Sequence, residues 1–180
     1  MVTTTRMNLD EFRALPESLE RLELIDGELI VSPTPRFWHQ NLVGNIFVLV
    51  RTIAPNGTTV IAPMDVYLFG ENAVQPDVFW VSADNDRCKL GEDGYWYGAP
   101  DLVVEVLSPS TAGRDRGVKF ELYERAGVRE YWLLDPEAEF LEGYTLVDGV
   151  FKRLGVFGID RIFESPLLGQ KIEIGGIFKR

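Results

Sequence analysis

The chain contains one cysteine, Cys88, and one histidine, His39, among its 180 residues. A single thiol excludes an internal disulfide and any zinc cage built from cysteines. A single imidazole means that a serine triad would have to use His39, and no nucleophile-elbow pattern surrounds a serine. No apolar run reaches the roughly 20 residues that span a bilayer as a helix, so no membrane partner is expected. Residues 1–10 lack a basic stretch followed by an apolar one, which predicts no secretory signal. A cytoplasmic location is the default that follows. Basic residues are also scarce: 18 Lys and Arg stand against 28 Asp and Glu, a formal net charge of −10. Because phosphate contacts dominate nucleic-acid affinity, this balance argues against a protein that binds or cuts nucleic acid. A local basic cleft or a bound metal would supply positive charge of its own. Phosphate-cradling glycine loops and the strand–GxGxxG–helix unit are missing as well.

What is present describes one ordinary globular domain over residues 1–180, with residues 1–6 as a loose tail. Hydrophobic residues make up 46% and charged residues 26%. Residues 8–15 read as a short helix that Asn8 or Asp10 can cap, with Pro16 just past its end. Leu22-Glu23-Leu24-Ile25, Asp26-Gly27 and Glu28-Leu29-Ile30-Val31 form a hairpin signal, Asp-Gly being a favoured two-residue turn. Residues 36–53 carry helical periodicity, with His39, Val43, Ile46, Val50 and Ile53 on one stripe. Strands are expected over 58–62, 64–68 and 74–81, then a loop over 84–94. Residues 101–107 form a nearly continuous apolar strand of the kind covered on both faces. A helix over 114–125, stopped by Gly127, precedes a strand over 130–135. That strand–helix–strand unit points to a mixed or parallel sheet. Beyond Pro136 the pattern is one of β-hairpins, over 140–146 and 150–154.

Chemistry concentrates at a few positions. Glu105 lies inside the apolar run Leu102-Val103-Val104-Glu105-Val106-Leu107. An unpaired buried carboxylate would protonate or destabilise the fold, so a metal, a cation or a hydrogen-bond network must compensate it. The bland alternative is an edge strand with Glu105 in water. Asp77 opens the strand after Gln75-Pro76; by itself it is turn chemistry, but with Glu105 from a neighbouring strand it makes a hard oxygen site suited to Mg²⁺. Lys119 shares a helix face with Tyr123 and Ala126. It is either an i,i+4 partner of Asp115 or a lysine aimed at the site to stabilise developing negative charge. His39 is a core histidine or a general base near a metal. Glu23 and Glu28 flank the Asp-Gly turn, and either can supply a further metal ligand. Arg114 and Arg116, with Lys119, add local positive charge. An acid pair also serves glycoside hydrolysis, which nothing else here supports.

The motifs Gln75-Pro76-Asp77-Val78, Pro100-Asp101-Leu102-Val103-Val104-Glu105-Val106-Leu107-Ser108-Pro109-Ser110-Thr111, Asp115 to Lys119, Tyr123, and Ala126-Gly127-Val128-Arg129-Glu130-Tyr131-Trp132 with Asp135-Pro136 resemble the Uma-two endonuclease family of the PD-(D/E)XK superfamily. The Glu23–Glu28 hairpin and His39 resemble its upstream motifs. The resemblance covers roughly residues 9–178. It implies an α/β (α+β) restriction-endonuclease-like fold: a mixed central β-sheet flanked by helices, with extra β-hairpins. It further implies Asp77 as the first acid and Glu105 as the second. The superfamily pattern expects a lysine two residues after the second acid, where this chain has Leu107. The resemblance supplies it from the following helix, as Lys119. The resulting expectation is an endonuclease that hydrolyses DNA with Mg²⁺ or Mn²⁺. Asp77 and Glu105 would hold the metal, Lys119 would assist, Glu28 and His39 would be further candidates, and a homodimer would cut both strands. The rival expectation is a non-catalytic interaction or assembly module on the same fold, in which Trp80, Tyr95, Trp96 and Tyr97 mark a partner surface.

Overall fold

The computed structural model describes residues 5–16, 18 and 20–179. Residues 1–4 of the expected tail lie outside the described residues. Thr5 and Arg6 are tied to the first hairpin: Leu29 N donates to Thr5 O at 2.9 Å, and Arg6 bridges Glu28.

Helix α1 (Leu9–Arg13) starts at a capping box in which Asn8 and Glu11 satisfy each other's backbone amides. Strands β1 (Arg21–Ile25) and β2 (Glu28–Ser32) form the anticipated hairpin. Asp26 and Gly27 have φ of 48° and 78°, the positive pair that a type I′ turn demands. Helix α2 (Phe37–Ile53) buries Leu42, Val43, Ile46 and Val50. There follow β3 (Gly57–Ile61), β4 (Val66–Tyr67), β5 (Ala73–Val74), β6 (Val78–Ser82), β7 (Lys89–Leu90), β8 (Trp96–Tyr97) and β9 (Leu102–Val106). Then come α3 (Ala112–Asp115), α4 (Val118–Ala126), β10 (Glu130–Asp135), β11 (Phe140–Val147), β12 (Val150–Gly158), β13 (Ile162–Ser165), β14 (Gln170–Glu173) and α5 (Ile174–Ile177).

The principal sheet has six strands in the order β12-β11-β10-β9-β6-β3. It is mixed: β9 runs parallel to β10 and antiparallel to β6. Both faces are covered. Leu102, Val104 and Val106 of β9 pack with Trp132, Leu134, Phe163 and the buried side of α2. Val103 and Leu107 point the other way, into a second core with Phe79, Leu122, Tyr123, Tyr131 and Leu133. Strand alternation therefore sends Glu105 to the α4 side. A smaller sheet, β2-β1-β5-β4-β8-β7, supplies Ile25, Val66 and Val74 to that same core.

Several expectations change in detail. The strand expected over 74–81 divides at Gln75-Pro76-Asp77: β5 belongs to the small sheet and β6 to the large one. Pro76 has no N–H for a ladder, which marks the crossing. The loop over 84–94 contains β7, which forms a local antiparallel hairpin with β8, Leu90 pairing with Trp96. The helix over 114–125 is two helices. Gly117 separates them, and Lys119 is the second residue of α4 rather than a mid-helix position. Gly127 closes α4 in a left-handed turn, with its N–H on Glu124 O and that of Val128 on Tyr123 O. Trp80 and Trp96, read as possible surface aromatics, are core residues, and Trp80 Nε1 donates to Ala54 O at 3.0 Å.

The β13–β14 hairpin, which the sequence pattern did not announce, is fastened to the sheet through Phe163. This ring is fully buried, 5.2 Å from the Trp132 ring and 5.1 Å from that of Phe157. Phe163→Ala should cost about 3–5 kcal/mol in urea unfolding, the range for truncating a buried phenylalanine. A loss below about 1 kcal/mol would mean that the hairpin is not part of the cooperative core.

Candidate functional site

The antiparallel register between β6 and β9 pairs Val78 with Val104. The next residues outward, Asp77 and Glu105, therefore sit side by side. Asp77 N donates to Glu105 Oε2 at 3.4 Å, and Val106 N donates to Asp77 Oδ2 at 2.8 Å. Both carboxylates are buried. Lys119 enters from the first turn of α4. Its Nζ lies 2.9 Å from Glu105 Oε1, 2.8 Å from Glu23 Oε1 and 3.9 Å from Asp115 Oδ1. One turn further along α4, Tyr123 OH donates to Glu105 Oε1 at 2.8 Å. From β1, Arg21 Nη1 is 2.7 Å from Asp77 Oδ1, and Nη2 is 3.6 Å from both Glu23 Oε1 and Glu105 Oε2. Arg21 Nη2 also donates to Gln75 O. His39, in the first turn of α2, brings Nε2 to 3.3 Å from Asp77 Oδ2.

Asp77, Glu105, Lys119 and His39 thus meet, and so does Glu23. Glu28 does not. It pairs with Ile25 at the turn end of the hairpin and is exposed, whereas Glu23, two residues further from the turn on the same face, is buried. Arg114 and Arg116 are also elsewhere: Arg114 donates to Ser32 Oγ at 3.1 Å, and Arg116 pairs with Glu142. Sequence reasoning missed Arg21. The signal was available, because Arg21 and Glu23 are two apart on one strand and share its face. The i,i+4 pair of Asp115 and Lys119 and the inward-aimed lysine, posed as alternatives, coexist.

The electrostatics follow from burial. Four carboxylates, those of Glu23, Asp77, Glu105 and Asp115, face two permanent cations, Arg21 and Lys119. For Asp77 burial alone would raise the pKa, but the charge of Arg21 and the hydrogen bond from His39 outweigh it and hold the group below the usual carboxylate range. Glu23 is likewise lowered, burial being outweighed by Lys119 and Arg21. Glu105 goes the other way. Burial, with repulsion from Asp77 and Asp115, prevails over Lys119 and Arg21 and pushes it up to about 7. Burial also raises Asp115. Lys119 is raised despite its burial because Glu105 and Glu23 hold its proton. It is a fixed cation, unable to act as a base. His39 is raised as well, Asp77 outweighing the effect of burial.

The donor set, three converging carboxylates and an imidazole, suits a hard divalent cation. Among the described residues three buried side-chain polar atoms have no hydrogen-bond partner, Arg21 Nε, His39 Nδ1 and Gln75 Oε1, and all three belong to residues bonded into this cluster. Such orphans are uncommon in a completed site. Among the described residues no group of three His, Cys, Asp or Glu side chains is already spaced around an ion, since Arg21 and Lys119 stand between the carboxylates. A cleft of about 600 Å³ lined by Asn56, Ser82, Asp84 and Lys89 shares no residue with the cluster. Its lining brings together no comparable set of charged groups.

A mixed sheet with an acid in its central strand, a second acid opening the next strand and flanking helices is the restriction-endonuclease-like class of fold. The crystal structure titled as a putative nuclease belonging to DUF820, from Anabaena variabilis ATCC 29413, superposes with a TM-score of 0.78 at 21% identity, covering 96% of this chain and 97% of that one. This likeness establishes the shared fold. The chain belongs to the Uma2 family, described as "Putative restriction endonuclease", whose profile matches residues 9–174. No curated protein matches it.

Glu105 makes a pH prediction. An unfolded glutamate titrates near ~4.3, and folded Glu105 does so near about 7. Between those values the native state holds a proton that the unfolded chain has released, so the stability Glu105 contributes is full at low pH and is lost as pH rises toward 7. Asp77 and Glu23, being lowered, act in the opposite sense and only at lower pH. In metal-free protein, the stability of wild type relative to Glu105→Gln should therefore fall between about pH 4 and about pH 7. Urea unfolding across that range measures it. A difference independent of pH would show that Glu105 is ionised throughout.

Proposed function

We propose that the protein is a metal-dependent endonuclease that hydrolyses phosphodiester bonds of DNA. The observation that supports this reading is the convergence on Glu105 of Asp77, from the residue before β6, and of Lys119, from α4. Asp77 and Glu105 would hold Mg²⁺ or Mn²⁺. A bound ion of this kind polarises a phosphoryl oxygen and lowers the pKa of its water. Lys119, fixed as a cation, donates hydrogen bonds to the attacking water or to the charge that develops on phosphorus oxygens. Tyr123, whose own pKa is raised by burial and by Glu105, keeps its proton and fixes the rotamer of Glu105. His39 orients Asp77 through Nε2, and its unpartnered Nδ1 is a further polar group at the site. Glu28, exposed at the hairpin turn, is a weaker candidate than Glu23.

The same reading has the protein act as a homodimer, one centre per strand, in the cytoplasm. No helix among the described residues is long and apolar enough to cross a membrane. β12 is an edge strand of the principal sheet with Val150 and Val156 exposed, a surface on which two copies can pair. The rival reading, a non-catalytic module, is supported by the net charge of −10 and by the ion pairs that Arg21 and Lys119 already make with the buried acids.

Supercoiled plasmid incubated with the protein and Mg²⁺ or Mn²⁺ should be nicked. Asp77→Asn and Glu105→Gln should each lower the rate by about 10² or more, the scale of losing an electrostatic catalytic group, while the melting temperature of each variant reports that it is folded. If wild type cleaves no single- or double-stranded substrate with either metal, and neither metal raises its melting temperature, the module reading replaces the enzymatic one.

A further inference from the structure

We propose that Arg21 is a built-in cation that occupies the carboxylate site of the metal-free protein and leaves it when a divalent ion binds. The inference rests on the metal-site reading above and adds to it a named competitor. The guanidinium sits among three carboxylates, at 2.7 Å from Asp77 and 3.6 Å from both Glu23 and Glu105. An ion shared by Asp77 and Glu105 needs their oxygens at roughly 2.0–2.2 Å. It would then lie within a few ångström of the Arg21 guanidinium in a buried setting, where like charges repel strongly. The two cations are therefore alternatives for one place.

Three features make Arg21, and not Lys119, the one that yields. Its side chain is 22% exposed, against 3% for Lys119, so only Arg21 has a route to water. Lys119 makes contacts of 2.8 and 2.9 Å with two carboxylates, whereas two of the three ionic contacts of Arg21 are beyond hydrogen-bonding distance. Its Nε has no partner, so the fork is not fully used. Charge favours the exchange. With four carboxylates facing two cations, replacing a monovalent guanidinium by a divalent ion leaves one less negative charge uncompensated.

The test is Mn²⁺ affinity, read by electron paramagnetic resonance without any substrate. Arg21→Gln removes the charge and keeps a polar side chain; it should bind Mn²⁺ at least about tenfold more tightly than wild type, the effect of relieving about 1.4 kcal/mol of competition. Arg21→Lys keeps the charge and should stay near wild type. An Arg21→Gln protein that binds no more tightly than wild type overturns the proposal. Should Arg21→Gln fail to fold, wild-type crystals grown with Mn²⁺ decide. Anomalous scattering between Asp77 and Glu105, with the guanidinium gone from that position, supports the exchange. Manganese bound beside an unmoved Arg21 overturns it. Wild type that cleaves DNA while both proteins bind Mn²⁺ equally defeats the role of Arg21 and leaves the nuclease reading standing. Absence of Mn²⁺ from both proteins defeats the two together.

Discussion

Everything around the site is arranged by one constraint: carboxylates placed in the interior of a covered sheet must have cations. Glu105 occupies the fourth position of a five-residue strand that is buried throughout. In water that carboxylate is solvated; here it depends on Lys119, Arg21, Tyr123 and the Asp77 amide. Removing one partner of a buried ion pair leaves an uncompensated charge, at a cost of roughly 3–5 kcal/mol. Replacing such pairs by apolar residues is often neutral or stabilising. A cluster of this kind is therefore weak as a stabilising device.

The fold divides the labour between rigid delivery and charge balance. The register of β6 on β9 fixes the distance between the two acids. The short helix pair α3–α4, broken at Gly117, turns both Asp115 and Lys119 toward the sheet. The β1–β2 hairpin supplies Arg21 and Glu23 from the small sheet. The cluster thus ties together the two sheets and α4, and α2 reaches it through His39. Surplus negative charge remains, and it is expressed as raised proton affinity at Glu105 and Asp115.

Local signals in the sequence carried much of this. The Asp26-Gly27 turn was readable because both residues must take positive φ, and the end of α4 because Gly127 takes the left-handed conformation. The apolar run around Glu105 announced a central strand and a buried acid, since period-2 alternation and hydrophobicity are properties of the chain itself. The division at Gln75-Pro76-Asp77 was not readable as a change of sheet: β5 and β6 are short, and which sheet each joins is set by partners elsewhere in the chain, β1 for one and β3 and β9 for the other. The docking of β13–β14 on the principal sheet has the same origin.

By itself, then, the sequence determined a mixed or parallel sheet with flanking helices, one acid inside a strand and another just before one, and a helical lysine after the second acid, because propensity, turn chemistry and hydrophobic period act over a few residues. Only the tertiary structure decided which of the two hairpin acids joins the cluster. Glu23 and Glu28 share a face and differ in distance from the turn, and the packing of α4 against β1 buries one and leaves the other in water. Tertiary structure alone also made Arg21 a member, since an arginine two residues from a glutamate becomes a counter-ion to Asp77 only when the fold brings in a stretch of chain 56 residues away.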